Sequence, residues 1–246
     1  MNFRIESDSI GSRKVPKDAY YGVQALRASN NFNITGLNIH PEFVKSLAQV
    51  KKASAITNCS IGLLDSKIGN AIIQACNEII EGKFREQFII DPIQGGAGTS
   101  INMNANEVIA NLAIEILGGE KGDYSIVSPN DHVNMGQSTN DVIPTSGKIT
   151  ALRLASKLLN QLSELHMALK GKSEEFKDII KMGRTQLQDA VPITLGQEFR
   201  AYSAVAKRDI LRIKKALQDM GVLNIGGTAV GTGINADEEY VESVVP

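Results

Sequence analysis

Three short segments gather glycine, serine, threonine and asparagine in a way that could do chemistry. They are GGAGTSINMN (95–104), NMGQSTND (134–141) and GRTQLQDA (183–190). The first two run straight into helical patterns. At a helix start the first backbone N–H groups have no intrahelical partner, and the helix dipole favours an anion. The hydroxyls of Thr99, Ser100, Ser138 and Thr139 and the amides of Asn102 and Asn140 are neutral donors suited to carboxylate oxygens. The third segment adds Arg184, Thr185 and Gln186. If the three loops converge, they form a pocket for a small dicarboxylate. Each segment taken alone also reads as helix caps and turns, because the same residue types serve those roles.

Gln186 limits the chemistry. A proton-transfer site would place a histidine there, since only histidine titrates near neutral pH without help. Of the three histidines, His132 in PNDHVN has a motif-like setting and is read as structural. His40 reads as a turn residue and His166 as a bundle-face residue. Arg184 could bind a substrate carboxylate or pair with Asp189. Cys59 and Cys76 have no metal-ligand spacing and read as inert thiols, so no metal is expected. GGAGTS and GGTAVGTG (226–233) resemble phosphate cradles but match neither nucleotide fingerprint, so no bound nucleotide is expected.

The net charge is −1 with no basic patch, which argues against nucleic acid as a partner. No run approaches the roughly 20 apolar residues that span a membrane. The start, MNFRIESDSIGSRK, lacks the apolar stretch of a signal peptide, so a cytoplasmic protein is expected.

Helical periodicity supplies the elements that must hold these loops. The first 40 residues look irregular, with short extended pieces. A helix follows His40, with Pro41 in its first turn and Phe43, Leu47, Val50 and Ala53 in phase. A second runs from about Asp65 to Gly82, and a third covers roughly 101–117. From Val142 to Lys170 one apolar stripe persists through Ile149, Leu152, Ala155, Leu159, Leu162, Leu165 and Leu169. Another runs from Leu195 to Leu217, with Thr194 and Gln197 as its capping box. ADEEYVESVVP reads as the first turns of a further helix. The fold class is therefore mainly α. An N-terminal mixed and helical domain (1–140) precedes the first long helices of a bundle (141–246). Two long helices cannot bury their own seams, so the bundle is expected to be incomplete in this chain.

GGAGTSINMNANEVIANLA, SPNDHVNMGQSTNDVIPT and KMGRTQLQDAVPITLGQEF together resemble conserved regions of the aspartase/fumarase superfamily. RIESDSIGSRKVPKDAYYGVQALRASNNFNI resembles its aspartase branch, and the likeness runs along the whole chain in order. The resemblance implies a homotetramer with active sites built from loops of three subunits and no organic cofactor. It implies reversible deamination of L-aspartate to fumarate and ammonia, through β-proton abstraction by a serine and an aci-carboxylate intermediate. By position, Thr99, Ser138, Thr139, Asn140 and Thr185 match substrate-binding residues, with Ser138 and Thr139 stabilising the developing charge. Gln186 stands where the usual histidine sits, which argues against the alternative of a class II fumarase-like hydratase. Ser128 stands where many relatives have histidine before Pro-Asn-Asp, which puts in doubt a secondary carboxylate site there. The family's Gly-Ser-Ser loop, with the base serine and a nearby lysine and asparagine, would lie well past residue 246. These 246 residues alone are thus expected to be an inactive N-terminal portion. A truncated, non-catalytic binding or assembly module is the third reading.

Overall fold

A computed structural model describes residues 2–245. The chain is mainly α-helical, with two small two-stranded sheets. It divides into two compact units, Met1–Thr150 with Leu223–Pro246, and Ala151–Val222.

The first unit opens with an antiparallel hairpin, β1 (Phe3–Asp8) and β2 (Gly11–Pro16), in register Phe3 opposite Pro16. Helix α1 (Val23–Asn31) follows in a stretch whose sequence looks irregular. No side chain of its own caps it. Instead Glu107 accepts the N–H groups of Gly22, Gln24 and Ala25, and Glu6 accepts that of Val23. The cap comes from distant residues, so nothing local announces the helix. Burial pushes the Glu107 carboxyl up to about 7, against the pull of those three N–H groups.

Helices α2 (Pro41–Ser60) and α3 (Ser66–Ile80) pack together, and α3 packs on α4 (Thr99–Ile116). His40 Nδ1 caps α2 and Asp65 caps α3, so both start where the sequence places them. Leu47, Ile72, Ala75, Ile79, Val108, Ile109 and Ile114 form the core. Helix α4 is buried almost all round despite its asparagines. Asn104 bonds Gln87 and Ile89, and Asn111 bonds Tyr20, Tyr124 and Gly122, so these two buried amides are satisfied, whereas Asn102 Oδ1 and Asn106 Oδ1 have no hydrogen-bond partner among the described residues. The predicted start of this helix is two residues late.

Long helix α5 (Thr139–Glu175) begins in this unit, where its first turn is fixed. Short helix α7 (Glu238–Ser243) groups with this unit. Tyr240 of α7 is fully buried, and its hydroxyl bonds Ser54 Oγ of α2 at 2.9 Å.

In the second unit the rest of α5 is followed by β3 (Ile180–Thr185), β4 (Gln188–Thr194) and α6 (Leu195–Asp219). The capping box at Thr194 and Gln197 forms as the sequence predicts. His166 Nδ1 lies 2.9 Å from Ser203 Oγ, joining α5 and α6. Gly196 makes close approach possible, since a Cβ there would lie 2.5 Å from the Ser173 carbonyl. Of the two predicted stripes, Leu165 and Tyr202 are exposed and Ala206 and Ile210 are buried, while Leu158 and Leu211 are exposed off those stripes.

Candidate functional site

Ser138 is the N-cap of α5, and Thr139 and Asn140 are its first two residues. Ser138 Oγ accepts the Asn140 N–H at 3.2 Å, and Asp141 Oδ1 accepts the Ser138 N–H at 2.9 Å. The two bonds form a reciprocal capping box. The capping reading is thus correct for Ser138 as an acceptor, and its own hydroxyl proton is left to donate elsewhere.

Thr99 is the first residue of α4 and is exposed. Gly98 before it has φ +94°, and a Cβ there would lie 2.9 Å from the Ile143 side chain. Glycine therefore lets the start of α4 press against the first turn of α5. Asn102 Nδ2 reaches Thr139 Oγ1 at 3.3 Å across the same contact. Two helix starts adjoin, and the hydroxyls of Thr99, Ser138 and Thr139 sit at them. This is an anion-binding arrangement without a fixed positive side chain.

The glycine-rich segment after Leu223 forms a further wall. Asn140 Nδ2 donates to the Ala229 carbonyl at 2.7 Å, and Asp141 Oδ2 accepts the Thr228 N–H at 2.9 Å. Thr228 is held at φ +53°, a strained region for a β-branched residue. The bond to Ala229 uses one of the two Asn140 amide N–H groups, so the second N–H and the carbonyl oxygen both remain for a ligand.

Asn102 needs a second correction. It is 2% exposed and donates to Asn134 Oδ1 at 3.1 Å, so it supports the site from behind instead of facing a ligand. Residues missing from the sequence reading lie beside it. Lys51 of α2 is fully buried, and its Nζ donates to Asn134 Oδ1 at 2.7 Å. Burial pulls the Lys51 ammonium down to about 7, against the attraction of Asp141. A signal was present, since Leu47, Lys51, Ser54 and Asn58 share one stripe of α2 at spacings of three and four, and all four are buried.

Thr185 and Gln186 stand on the hairpin of the second unit. GRTQLQDA is not a plain connector but the end of β3, a two-residue turn at Gln186 and Leu187, and the start of β4. Both turn residues have positive φ, 46° and 63°, in a turn that usually takes Asn-Gly. The missing Asn-Gly signal hid the hairpin. Thr185 Oγ1 donates to Gln186 Oε1, which leaves the Gln186 amide nitrogen as the available donor. Arg184 Nε pairs with Asp189 Oδ1 at 3.0 Å, both exposed, as the structural reading of that arginine expected.

His132 Nδ1 accepts the Ser128 N–H at 3.0 Å inside a π-helical turn, Pro129–Val133, which is a structural role. A cavity of about 1020 Å³ lies away from Thr99 and the 138–140 segment, among Asp8, Arg13, Arg27, Asn30, Glu107 and Ser128. Burial raises the Cys59 thiol and pushes Cys76 up to about 12, so both are poor nucleophiles.

A family model described as "Lyase" matches residues 11–246. Aspartate ammonia-lyase of Bacillus subtilis is 58% identical over 243 residues, covering 99% of this chain and 51% of that protein. Aspartate ammonia-lyase of Escherichia coli K12 is 49% identical over 242 residues, covering 97% of this chain and 51% of that protein. The chain thus spans about half the length of the curated relatives it matches. Among solved structures, a fumarate lyase:delta crystallin from Brucella melitensis superposes with TM-score 0.93 at 48% identity, over 99% of this chain and 53% of that one. A class II fumarase from Schistosoma mansoni superposes with TM-score 0.91 at 40% identity, over 99% of this chain and 51% of that one. With the family model matched along nearly its whole length, the chain belongs to the lyases of the aspartase/fumarase superfamily.

Proposed function

We propose that this chain contributes the dicarboxylate-binding walls of an ammonia-lyase that converts L-aspartate to fumarate and ammonia. The observation that carries the reading is the meeting of two helix starts bearing Thr99, Ser138, Thr139 and Asn140, together with a glutamine at position 186. Thr99, Ser138 and Thr139 bind the substrate carboxylates through hydroxyl donors. Removal of the β-proton puts a second negative charge on the adjacent carboxylate. The hydroxyls of Ser138 and Thr139 and the helix N-termini stabilise that aci-carboxylate, and the electron pair then forms the double bond as the C–N bond breaks. The Asn140 carbonyl oxygen accepts from the substrate ammonium. Thr185 and Gln186, on the hairpin of the second unit, offer neutral hydrogen bonds to a dicarboxylate.

A hydratase reading draws on the likeness to the class II fumarase. Hydroxide is a poor leaving group and needs a general acid. Gln186 cannot supply one, whereas ammonia leaves from an amine that already carries its proton. No Gly-Ser-Ser loop occurs within these 246 residues, so the serine base lies outside them and the segment by itself is inactive. The two free thiols fit a reducing compartment, the cytoplasm, and the exposed apolar residues of α5 and α6 fit assembly as a homotetramer.

The test uses the polypeptide translated from the whole gene, assayed by the ultraviolet absorbance of fumarate with aspartate and with malate. Aspartate is the expected substrate, and Thr139→Val should lower kcat on the order of a hundredfold. A malate rate equal to or above the aspartate rate would overturn the assignment.

A further inference from the structure

The buried network behind the site has a direction, and Lys51 and the Gln137 carbonyl set it from its two ends. In its ammonium form Lys51 can only donate, and the Gln137 carbonyl can only accept. Asn134 must therefore turn its oxygen toward Lys51 Nζ, at 2.7 Å. That oxygen is also 3.1 Å from Asn102 and 3.3 Å from Asn106, so both of those side chains must present nitrogen to it. Asn102 then directs the same amide nitrogen at Thr139 Oγ1, at 3.3 Å. Thr139 receives a proton from behind, and its own proton is left to point outward. The far side of Asn134 donates to the Gln137 carbonyl at 3.2 Å, which holds the bend leading into Ser138.

A flip of Asn102 or Asn106 would set oxygen against the Asn134 oxygen, and the Lys51 ammonium and the Gln137 carbonyl both oppose a flip of Asn134. Lys51, Asn102 and Asn106 are at most 2% exposed, so bulk water does not set their orientation. A buried lysine is costly, and an apolar residue of the same length would usually stabilise the fold. Its retention here is explained by what it imposes on the chain of amides.

We infer that Lys51 is a positioning residue. Acting through Asn134 and Asn102, it orients the Thr139 hydroxyl so that its proton faces the substrate carboxylate. The inference rests on the reading of Thr139 as a charge-stabilising donor.

A double-mutant cycle on the polypeptide translated from the whole gene tests it. Lys51→Met removes the obligate donor while leaving Asn134 Oδ1 two amide partners. The expected result is a stability equal to or above that of the parent, with kcat for aspartate lowered about ten- to a hundredfold and KM little changed. In a Thr139→Val background the same substitution should cost less than about twofold, because the hydroxyl it orients is gone. In a Thr99→Val background the full loss should return. If Lys51→Met costs the same factor in both backgrounds, it acts as a general structural residue and the inference is overturned. If Thr139→Val itself has no effect, the reading of the site fails instead. Should Lys51→Met not fold, as judged by circular dichroism and size exclusion, Asn102→Asp carries the same cycle. It makes Thr139 donate inward, and its loss should likewise vanish with Thr139→Val. A loss that persists in that background would overturn the inference equally.

Discussion

Replacing Asp141 by asparagine changes one atom at a junction that joins two loops of the candidate site. Asp141 is 1% exposed, and each oxygen takes a backbone N–H, from Ser138 and from Thr228, both at 2.9 Å. An amide keeps one accepting oxygen and must turn an NH2 group toward the other N–H. Two donors then face each other in a dry site. A hydrogen bond to a charged group contributes about 1.5–3 kcal/mol, and a buried polar group left unpaired costs about 1–3 kcal/mol. The remaining bond also weakens as it becomes neutral. The expected destabilisation of Asp141→Asn is roughly 3 kcal/mol, a fall in melting temperature of about 6–12 °C for a chain of this size. The cost also has a functional side. Thr228 sits at φ +53° and is held there partly by this bond. Release of Thr228 shifts Ala229, whose carbonyl holds the Asn140 side chain. Fumarate affinity should therefore fall together with stability. Differential scanning calorimetry gives the first quantity and isothermal titration with fumarate the second. A melting temperature within about 2 °C of the parent with unchanged fumarate binding would refute the junction role.

Two further outcomes follow from single contacts. A Cβ at Gly69 of α3 would lie 2.0 Å from Cys59 Sγ of α2, so Gly69→Ala should cost about 1–3 kcal/mol in urea denaturation. Cys59→Ala in the same chain should recover most of that loss, and failure to recover it would place the clash elsewhere. Burial alone would raise the Asp91 carboxyl, but bonds from Ile93, Thr35, Gly36 and Ile34 outweigh it and hold it at about 2, below the ordinary 3.8. With the folded value depressed, its contribution is full above about pH 4 and disappears as pH falls toward 2. The difference in urea midpoint between the parent and Asp91→Asn should shrink over that window, and a constant difference would exclude ionisation as its source.

The elements that were legible in the amino-acid order are those whose decisive hydrogen bonds close within a few residues. Asp65 reaches Lys67 and Ile68, Ser138 reaches Asn140, and Thr194 pairs reciprocally with Gln197. The starts of α3, α5 and α6 follow from these contacts, and so does the placement of Ser138, Thr139 and Asn140 at one of them, whereas α4 begins after Gly98 without a side-chain cap. Helix α1 was not legible because Glu107 caps it from far along the chain. The hairpin at Gln186 was not legible because its two positive φ angles fall on residues that rarely adopt them.

By itself the sequence determined the residue types at the candidate site, the helices that carry them, and the absence of a titratable group at position 186. Tertiary structure decided which of those groups face outward. It turned Asn102 into a support and anchored Asn140 through one of its amide N–H groups to the Ala229 carbonyl. It also brought Lys51 behind the site as a buried donor to Asn134. The physical reason is that a side-chain amide or hydroxyl can point its donor either way. Only partners assembled from α2, α4 and α5 decide which way it points.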